Sequence, residues 1–360
     1  MRQRIPLSQG FVAVQHASYR IIRYFAPDRP AAPLEALMKV FRGLPNDRAR
    51  APCALTIGNF DGVHRGHQTL LAHVRGAAME LGIEAAVMTF EPHPREYFAR
   101  KMGDLSKAPA RIANLRDKLE DLSAAGIDRV IVEHFNEHFA AQSPQDFIER
   151  VLVDGLHVKW LMVGDDFRFG ARRAGDIAML QQAGREYGFQ VETLDAVMLG
   201  ERRISSSAVR EALATGDFDA TQQLLGHPYI MSGHVIHGQK LGRTLGFPTL
   251  NLRVAHRPAL AGIFVVRVHG LAEQPLPAVA SLGVRPTVED QGRMLLEVHV
   301  FDYDQSAYGK LLRVEFLAKL RDEEKYVDLP TLTAAIERDA VQARAFFAHR
   351  NGALTATDRI

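Results

Sequence analysis

The sequence predicts two domains: an α/β domain on a parallel sheet, then a small antiparallel β-barrel carrying a terminal helix. From about residue 52 to 195, short apolar runs alternate with helical patterns. After residue 225, short strands follow one another with glycine-bearing turns and no helix between them. The stretch 329–347, LPTLTAAIERDAVQARAFF, then reads as a single helix. A length of 360 residues suits two domains of ordinary size.

The first 37 residues carry Arg2, Arg4, Arg20 and Arg23 before the first acid, Asp28, and so superficially resemble an organellar transit peptide. The preferred reading is a translated extension without predicted structure, because Met38 opens a fresh segment, MKVFRGLP. Predicted strands of the first domain are CALTIG (53–58), AAVMTF (85–90), RVIVEH (129–134), KWLMVG (159–164) and QVETLD (190–195). Helical patterns separate them, as in HQTLLAHVRGAAMELG and RIANLRDKLEDLSAAG, where Ile112, Leu115, Leu119 and Leu122 recur at helical spacing. Nearly continuous apolar strands imply a parallel sheet covered on both faces, with ligands at the carboxyl ends of its strands. IFVVRVHG (263–270) and LLEVHVFDYD (295–304) alternate as barrel strands do. The domain boundary falls near 222–230, giving 1–37 as extension, 38–225 as first domain and 226–360 as second.

With 44 Lys plus Arg against 42 Asp plus Glu, the charge balance gives no electrostatic case for a nucleic-acid partner. A single cysteine, Cys53, excludes an internal disulfide and suits a reducing compartment, so a cytoplasmic location is expected. No apolar run approaches the ~20 residues that span a bilayer, so no membrane partner is expected; self-association is left open.

The chemistry-bearing motifs follow the strands. GNFDGVHRGH (58–67) places glycines Gly58 and Gly62, then His64 and His67, between a strand and a helix start. Such a turn exposes backbone N–H groups that favour phosphate. If the helix begins near Val63, the two histidines lie on one face. Zinc lacks a third ligand, ordinary surface histidines are the bland alternative, and the strand and glycine turn favour a nucleotide site. TFEPHPREYF (89–98) is a proline-stiffened loop with Phe90, Tyr97 and Phe98, suited either to a flat ring or to plain surface packing. VGDDFRFG (163–170) sets Asp165, Asp166 and Arg168 after another strand. ISSSAVREAL (204–213) puts three serines at a helix start with Arg210 close behind, which serves capping or phosphate binding.

These four motifs, in this order and spacing over ~150 residues, resemble the adenylyltransferase half of bacterial-type bifunctional riboflavin kinase/FAD synthetases. HRGH corresponds to the HxGH signature of the wider nucleotidyltransferase superfamily, which implies a Rossmann-like domain. The resemblance implies that His64 and His67 act on the triphosphate, and that Gly58, Phe60, Asp61, Asp166, Arg168, Ser205, Ser206 and Arg210 bind ATP and its phosphates. It also implies that Pro92 and His93 line the flavin site; Ser207 stands where the family often has threonine, keeping a hydroxyl.

No Walker A sequence occurs; the nearest miss, GHVIHGQK (233–240), has Gln239 where the lysine belongs. In FPTLN (247–251), Thr249 and Asn251 point the same way and offer hard oxygens suited to Mg²⁺ shared with ATP phosphates. Leu296, Val298 and Val300 share one strand face; Glu297, His299 and Phe301 share the other. Glu297 is either a solvated face residue or a general base for phosphoryl transfer. GHVIHGQKLGRTLGFPTLNL, AGIFVV, SLGVRPTV, LEVHVFDYD with a following YG, and LRDEEKY are similar to the flavokinase half of the same enzymes. This implies Thr249 and Asn251 at Mg²⁺–ATP, Glu297 as base, Gly238, Lys240 and Gly242 at the phosphates, and Arg321 at the flavin. Leu250 replaces the usual alanine of PTAN, and SAYG (306–309) replaces DLYG.

Together the resemblances cover about 38–345 and imply phosphorylation of riboflavin to FMN, then adenylylation of FMN to FAD and pyrophosphate, with ATP as co-substrate and Mg²⁺ as cofactor. Two other readings stay open: an adenylyltransferase for another phosphorylated precursor, or a flavin-binding protein with one inactive site, which the SAYG departure keeps alive. Products formed from riboflavin, ATP and Mg²⁺ discriminate between them.

Overall fold

The computed structural model describes residues 15–16, 19–21, 38–238, 242, 245–284 and 294–357. The chain divides into two compact units, Met1–Pro109 with Leu119–Met198, and Ala110–Lys118 with Leu199–Ile360.

The first unit contains β1 (Gln15–His16), β2 (Tyr19–Ile21), β3 (Lys39–Arg42), β4 (Cys53–Ile57), α1 (Arg65–Leu81), β5 (Glu84–Glu91) and α2 (Pro94–Lys101). There follow α3 (Leu115–Ala124), whose residues up to Lys118 belong to the second unit, β6 (Arg129–His134), α4 (Glu137–Ala140), α5 (Pro144–Asp146) running into the π-helical stretch Phe147–Val153, β7 (Val158–Gly164), α6 (Ile177–Tyr187) and β8 (Gln190–Leu194). The strands form one sheet in the order β1-β2-β3-β6-β5-β4-β7-β8. From β3 to β8 every pairing is parallel.

All five predicted strands are present, and β3, from the MKVFRGLP segment, adds a sixth parallel strand. Within 1–37, β1 and β2 pair antiparallel with each other and β2 with β3; the other residues of 1–37 lie outside the described set. β8 departs from the apolar reading: it is the sheet's edge, and none of its residues is buried. The helix predicted across 111–126 is also shorter, since α3 starts at Leu115 and buried Ile112 precedes it.

Burial explains the apolar runs. Every residue of β4 is buried. On one side Leu55, Ile57, Met88, Ile131, Leu161 and Val163 pack with Phe147, Ile148, Val151, Leu152 and Leu180. α1 buries Leu70, Leu71, Val74 and Ala78, the i, i+1, i+4, i+8 stripe that a sheet-covering helix presents. At the start of β6, the wholly buried Arg129 lies 3.3 Å from Glu84 Oε2 and donates to Ala51 O.

In the second unit a ribbon of β9 (Met198–Leu199) and β10 (Arg202–Arg203) leads to α7 (Ser206–Thr215) and α8 (Phe218–Leu225). A closed barrel follows: β11 (Ile230–Ile236), β12 (Leu250–Arg253), β13 (Gly262–His269), β14 (Leu276–Val284), β15 (Met294–Val300) and β16 (Leu311–Arg321), in the order β11-β12-β15-β14-β13-β16. Ile263 and Val265 of β13 pack with Phe301, Ala340 and Ala343. Phe264, between them, meets Phe316 with ring centroids 5.2 Å apart. The IFVV run is therefore continuous because both of its faces are covered. α9 (Leu329–Thr357) runs ten residues beyond the predicted end at 347. Packing places 199–225 with the barrel.

The Cys53 thiol donates to Leu156 O, and burial pushes its pKa from 9.0 up to about 11. That leaves about a hundredfold less thiolate than an ordinary cysteine at neutral pH. A thiol reagent at pH 8 should leave the folded chain unlabelled by mass spectrometry and label it fully in denaturant; rapid labelling of folded protein contradicts this burial. A second expectation concerns α9, which is tied to β16 by two bonds from Arg321 to Asp339, of 2.9 and 2.6 Å. Asp339→Ala should lower stability by about 2 kcal/mol in urea unfolding; an unchanged midpoint would show the pair to be energetically idle.

Candidate active sites

In the first unit the site begins one residue after β4. Gly58 N–H donates to Met88 O, closing the strand pair. The chain then turns through Phe60 at φ 46°, Gly62 at φ 84° and Val63 at φ 32°. Positive φ costs a non-glycine residue energy, and here that cost is met by burying Phe60 and Val63 completely or nearly so. Asp61 is buried between them in sequence.

α1 starts at Arg65, two residues later than expected, and His64 is its cap: His64 Nδ1 accepts from His67 N–H at 3.3 Å. The rings of His64 and His67 stack with centroids 3.7 Å apart, and Phe60 lies against His67 at 4.9 Å. The two histidines thus do share one face of the helix start. A helix first turn beside two stacked imidazoles is an arrangement that can offer hydrogen-bond donors to phosphate oxygens.

The neighbouring strand ends add to it. β5 lies directly beside β4, and its end leads through Pro92 to His93, which caps α2 by accepting from Arg95 N–H. An aromatic array includes residues of this motif: Phe90, Tyr97, Phe98, Phe135 and Phe139 meet at 5.2–5.8 Å, edge to face except for the tilted pair Phe90–Phe139. Phe135 enters from the β6–α4 connection and Phe139 from α4, both outside the four motifs. β7 flanks β4 on the other side, and its end carries exposed Asp166 and Arg168. Three of the four motifs of this half therefore come from the ends of three adjacent parallel strands.

The fourth lies in the second unit. Ser205 caps α7 by accepting from Ala208 N–H, the capping alternative realised, and Ser206 begins the helix. Arg210 Nε donates to Ala110 O at 2.7 Å.

In the barrel, β12 and β15 pair so that Asn251 stands opposite Glu297. Cross-strand partners point to the same side, so the amide and the carboxylate share one face. Thr249 stands just ahead of β12, with its Oγ1 3.4 Å from where a Cβ of Gly242 would lie. The glycine loop presses on this group: a Cβ at Gly238 would lie 2.5 Å from Asn251 Nδ2, and one at Gly242 would run into Phe247 O. His299, the next residue along the Glu297 face, hydrogen-bonds to Pro248 O through Nδ1 at 2.9 Å and so ties the FPTLN segment to β15. Phe301, which shares that face, is buried where α9 covers it. Tyr308 of SAYG stacks on His237 at 4.0 Å, and Ala307 is buried, so the altered tetrapeptide still makes a packed turn. Arg321 is engaged by Asp339, and its guanidinium also lies over Tyr326. Lys240 lies outside the described residues.

The chain's likeness to known proteins agrees with two centres. A FAD synthetase family model matches residues 46–208, and a riboflavin kinase family model matches residues 225–347. A bifunctional riboflavin kinase/FMN adenylyltransferase of Haemophilus influenzae is 49% identical over 86% of this chain and 99% of its own length. The protein of the same name from Escherichia coli K12 is 46% identical over 86% and 98%. A crystal structure described as a macrolide-efflux protein from Streptococcus pneumoniae superposes with a TM-score of 0.66 at 26% identity, covering 85% of this chain and 98% of that one. Among the described residues no helix is long and apolar enough to cross a membrane.

The turn generates a paired test in one element. Gly62→Ala should destabilise the protein by about 1 kcal/mol or more, because alanine resists φ 84°. Gly76→Ala, within α1 and facing open space, should stabilise it by about 0.5–1 kcal/mol. Chemical unfolding measures both; equal effects would mean that the turn does not hold glycine in that conformation.

Proposed function

The chain belongs to the family of bifunctional riboflavin kinase/FMN adenylyltransferases, and we propose that its two reactions run at the two centres described above. The chain phosphorylates riboflavin to FMN with ATP, and adenylylates FMN with a second ATP to give FAD and pyrophosphate. The observation that carries the assignment is the pairing of Asn251 with Glu297 in the barrel, matched by the stacked His64 and His67 at the end of β4.

In the kinase reaction Glu297 is the general base: it takes the proton of the ribityl hydroxyl as that oxygen bonds to the γ-phosphorus and ADP leaves. Hard oxygens of Thr249 and Asn251, held in place by the glycine loop at Gly238 and Gly242, fit Mg²⁺. Mg²⁺ bound there neutralises phosphate charge. Gly238 and Gly242 bring backbone to the phosphates, and Lys240 adds a cation. Arg321 acts on the flavin side indirectly, by tying α9 to the barrel and holding Tyr326.

In the adenylyl transfer the FMN phosphate is already an anion, so no strong base is needed. An FMN phosphate oxygen bonds to the α-phosphorus of ATP and pyrophosphate leaves. His64, His67 and the first-turn N–H groups of α1 hydrogen-bond the phosphate oxygens as their charge redistributes. Gly58, Phe60 and Asp61 shape the turn that receives the nucleotide. Asp166 and Arg168 meet nucleotide or phosphate at the adjacent strand end, while Pro92 and His93, in the motif that shares the aromatic array, meet the flavin ring. Ser205, Ser206 and Arg210, at the start of α7, keep the phosphate-binding role that their motif implies. A cytoplasmic location is in keeping with a lone buried thiol.

The reading in which one site is inactive is disfavoured by the packed SAYG turn. Two substitutions separate the centres. His64→Ala should accumulate FMN and lower FAD formation by about a hundredfold or more. Glu297→Ala should lose riboflavin phosphorylation by a similar factor yet convert supplied FMN to FAD normally. Chromatography of reaction mixtures reads both; loss of the same step in both variants overturns the assignment.

A further inference from the structure

Beside Glu297 stands a second carboxylate that the reaction as described does not use. β15 pairs with β14 on its other side, and there Glu297 is opposite Ser281. Ser281 therefore points to the same side of the barrel as Glu297 and Asn251. Its hydroxyl lies 3.3 Å from Glu323 Oε1. Glu323 comes from the segment after β16, and its carboxylate rests where a Cβ of residue 283 would be, so Gly283 provides its seat. Burial raises the Glu323 carboxyl above the usual range; the Ser281 bond opposes this and the nearby Glu297 charge adds to it.

Asn251, Glu297, Ser281 and Glu323 thus form a row of acceptors and hydroxyls along one side of three neighbouring strands. A row of this kind suits a polyol, whose successive hydroxyls each need a partner, while only one of them reacts. We propose that Glu323, set by Ser281 and Gly283, accepts a hydrogen bond from a ribityl hydroxyl that is not phosphorylated, and so fixes which hydroxyl of the chain meets Glu297. The inference rests on Glu297 being the kinase base. Its own contribution is to substrate binding and register, with no proton transferred.

The test uses the full-length enzyme with riboflavin and with analogues each lacking one non-reacting ribityl hydroxyl. Glu323→Ala should raise KM for riboflavin about tenfold, with KM for ATP and FAD formation from supplied FMN unchanged. Glu323→Gln, which keeps an acceptor oxygen, should recover most of the loss. For one analogue the wild-type enzyme should already show the raised KM, and Glu323→Ala should add nothing to it. An unchanged KM for riboflavin in Glu323→Ala, or a fall in kcat alone, overturns the inference, as do losses that add for every analogue. Should FAD formation fall in parallel, Glu323→Gln and the wild-type analogue series decide by the same criteria. If instead Glu297→Ala retains full kinase activity, the kinase-site reading fails, whatever Glu323 does.

Discussion

The first unit depends on one strand. β4 is buried along its whole length and hydrogen-bonded in parallel on both sides, to β5 and β7. A strand so enclosed has no freedom to slide, because a one-residue slip would turn its packed faces over. Its end is therefore a fixed point, and the turn through Phe60, Gly62 and Val63 starts from it. Local strain at that turn persists because Phe60 and Val63 have nowhere else to go. The adjacent motifs inherit their positions from the same strand, since β5 and β7 are registered against it.

The barrel solves the corresponding problem differently. Asn251, Glu297 and Ser281 do not lie at strand ends but along strands, and register between neighbours brings them together. Asn251 with Glu297, and Glu297 with Ser281, are consecutive rungs across three strands. On the opposite side of the same strands, Leu252, Leu296, Val298 and Leu282 fill the interior. The alternation that builds the core therefore also sorts the chemistry to one side.

Much of this was legible in the sequence because it is local. The strands of the first domain, the glycine turn, the capping serine at 205 and the alternation in LLEVHV all depend on residues close together in the chain. The register of the barrel was not legible: nothing in the sequence says that Ser281 faces Glu297, because pairing is settled by closure of the whole barrel. One expectation failed for tertiary reasons: Ile112 has helical spacing yet lies buried ahead of α3. Phe301 keeps the parity of Glu297, and α9 covers that end of the face. The grouping of 199–225 with the barrel likewise comes from packing such as Phe218 against Phe316, which spacing cannot announce.

The two capping histidines have a consequence for the hydrogen atoms of the first site. His64 and His93 end adjacent strands, and each receives a backbone N–H on Nδ1. An imidazole that accepts at Nδ1 must, when neutral, carry its hydrogen on Nε2. The folding of two helix starts thereby selects one tautomer at both residues, before any ligand arrives. Protonating Nδ1 would set one hydrogen against another and release the cap, so a change in the charge of either ring is coupled to the integrity of the helix it begins.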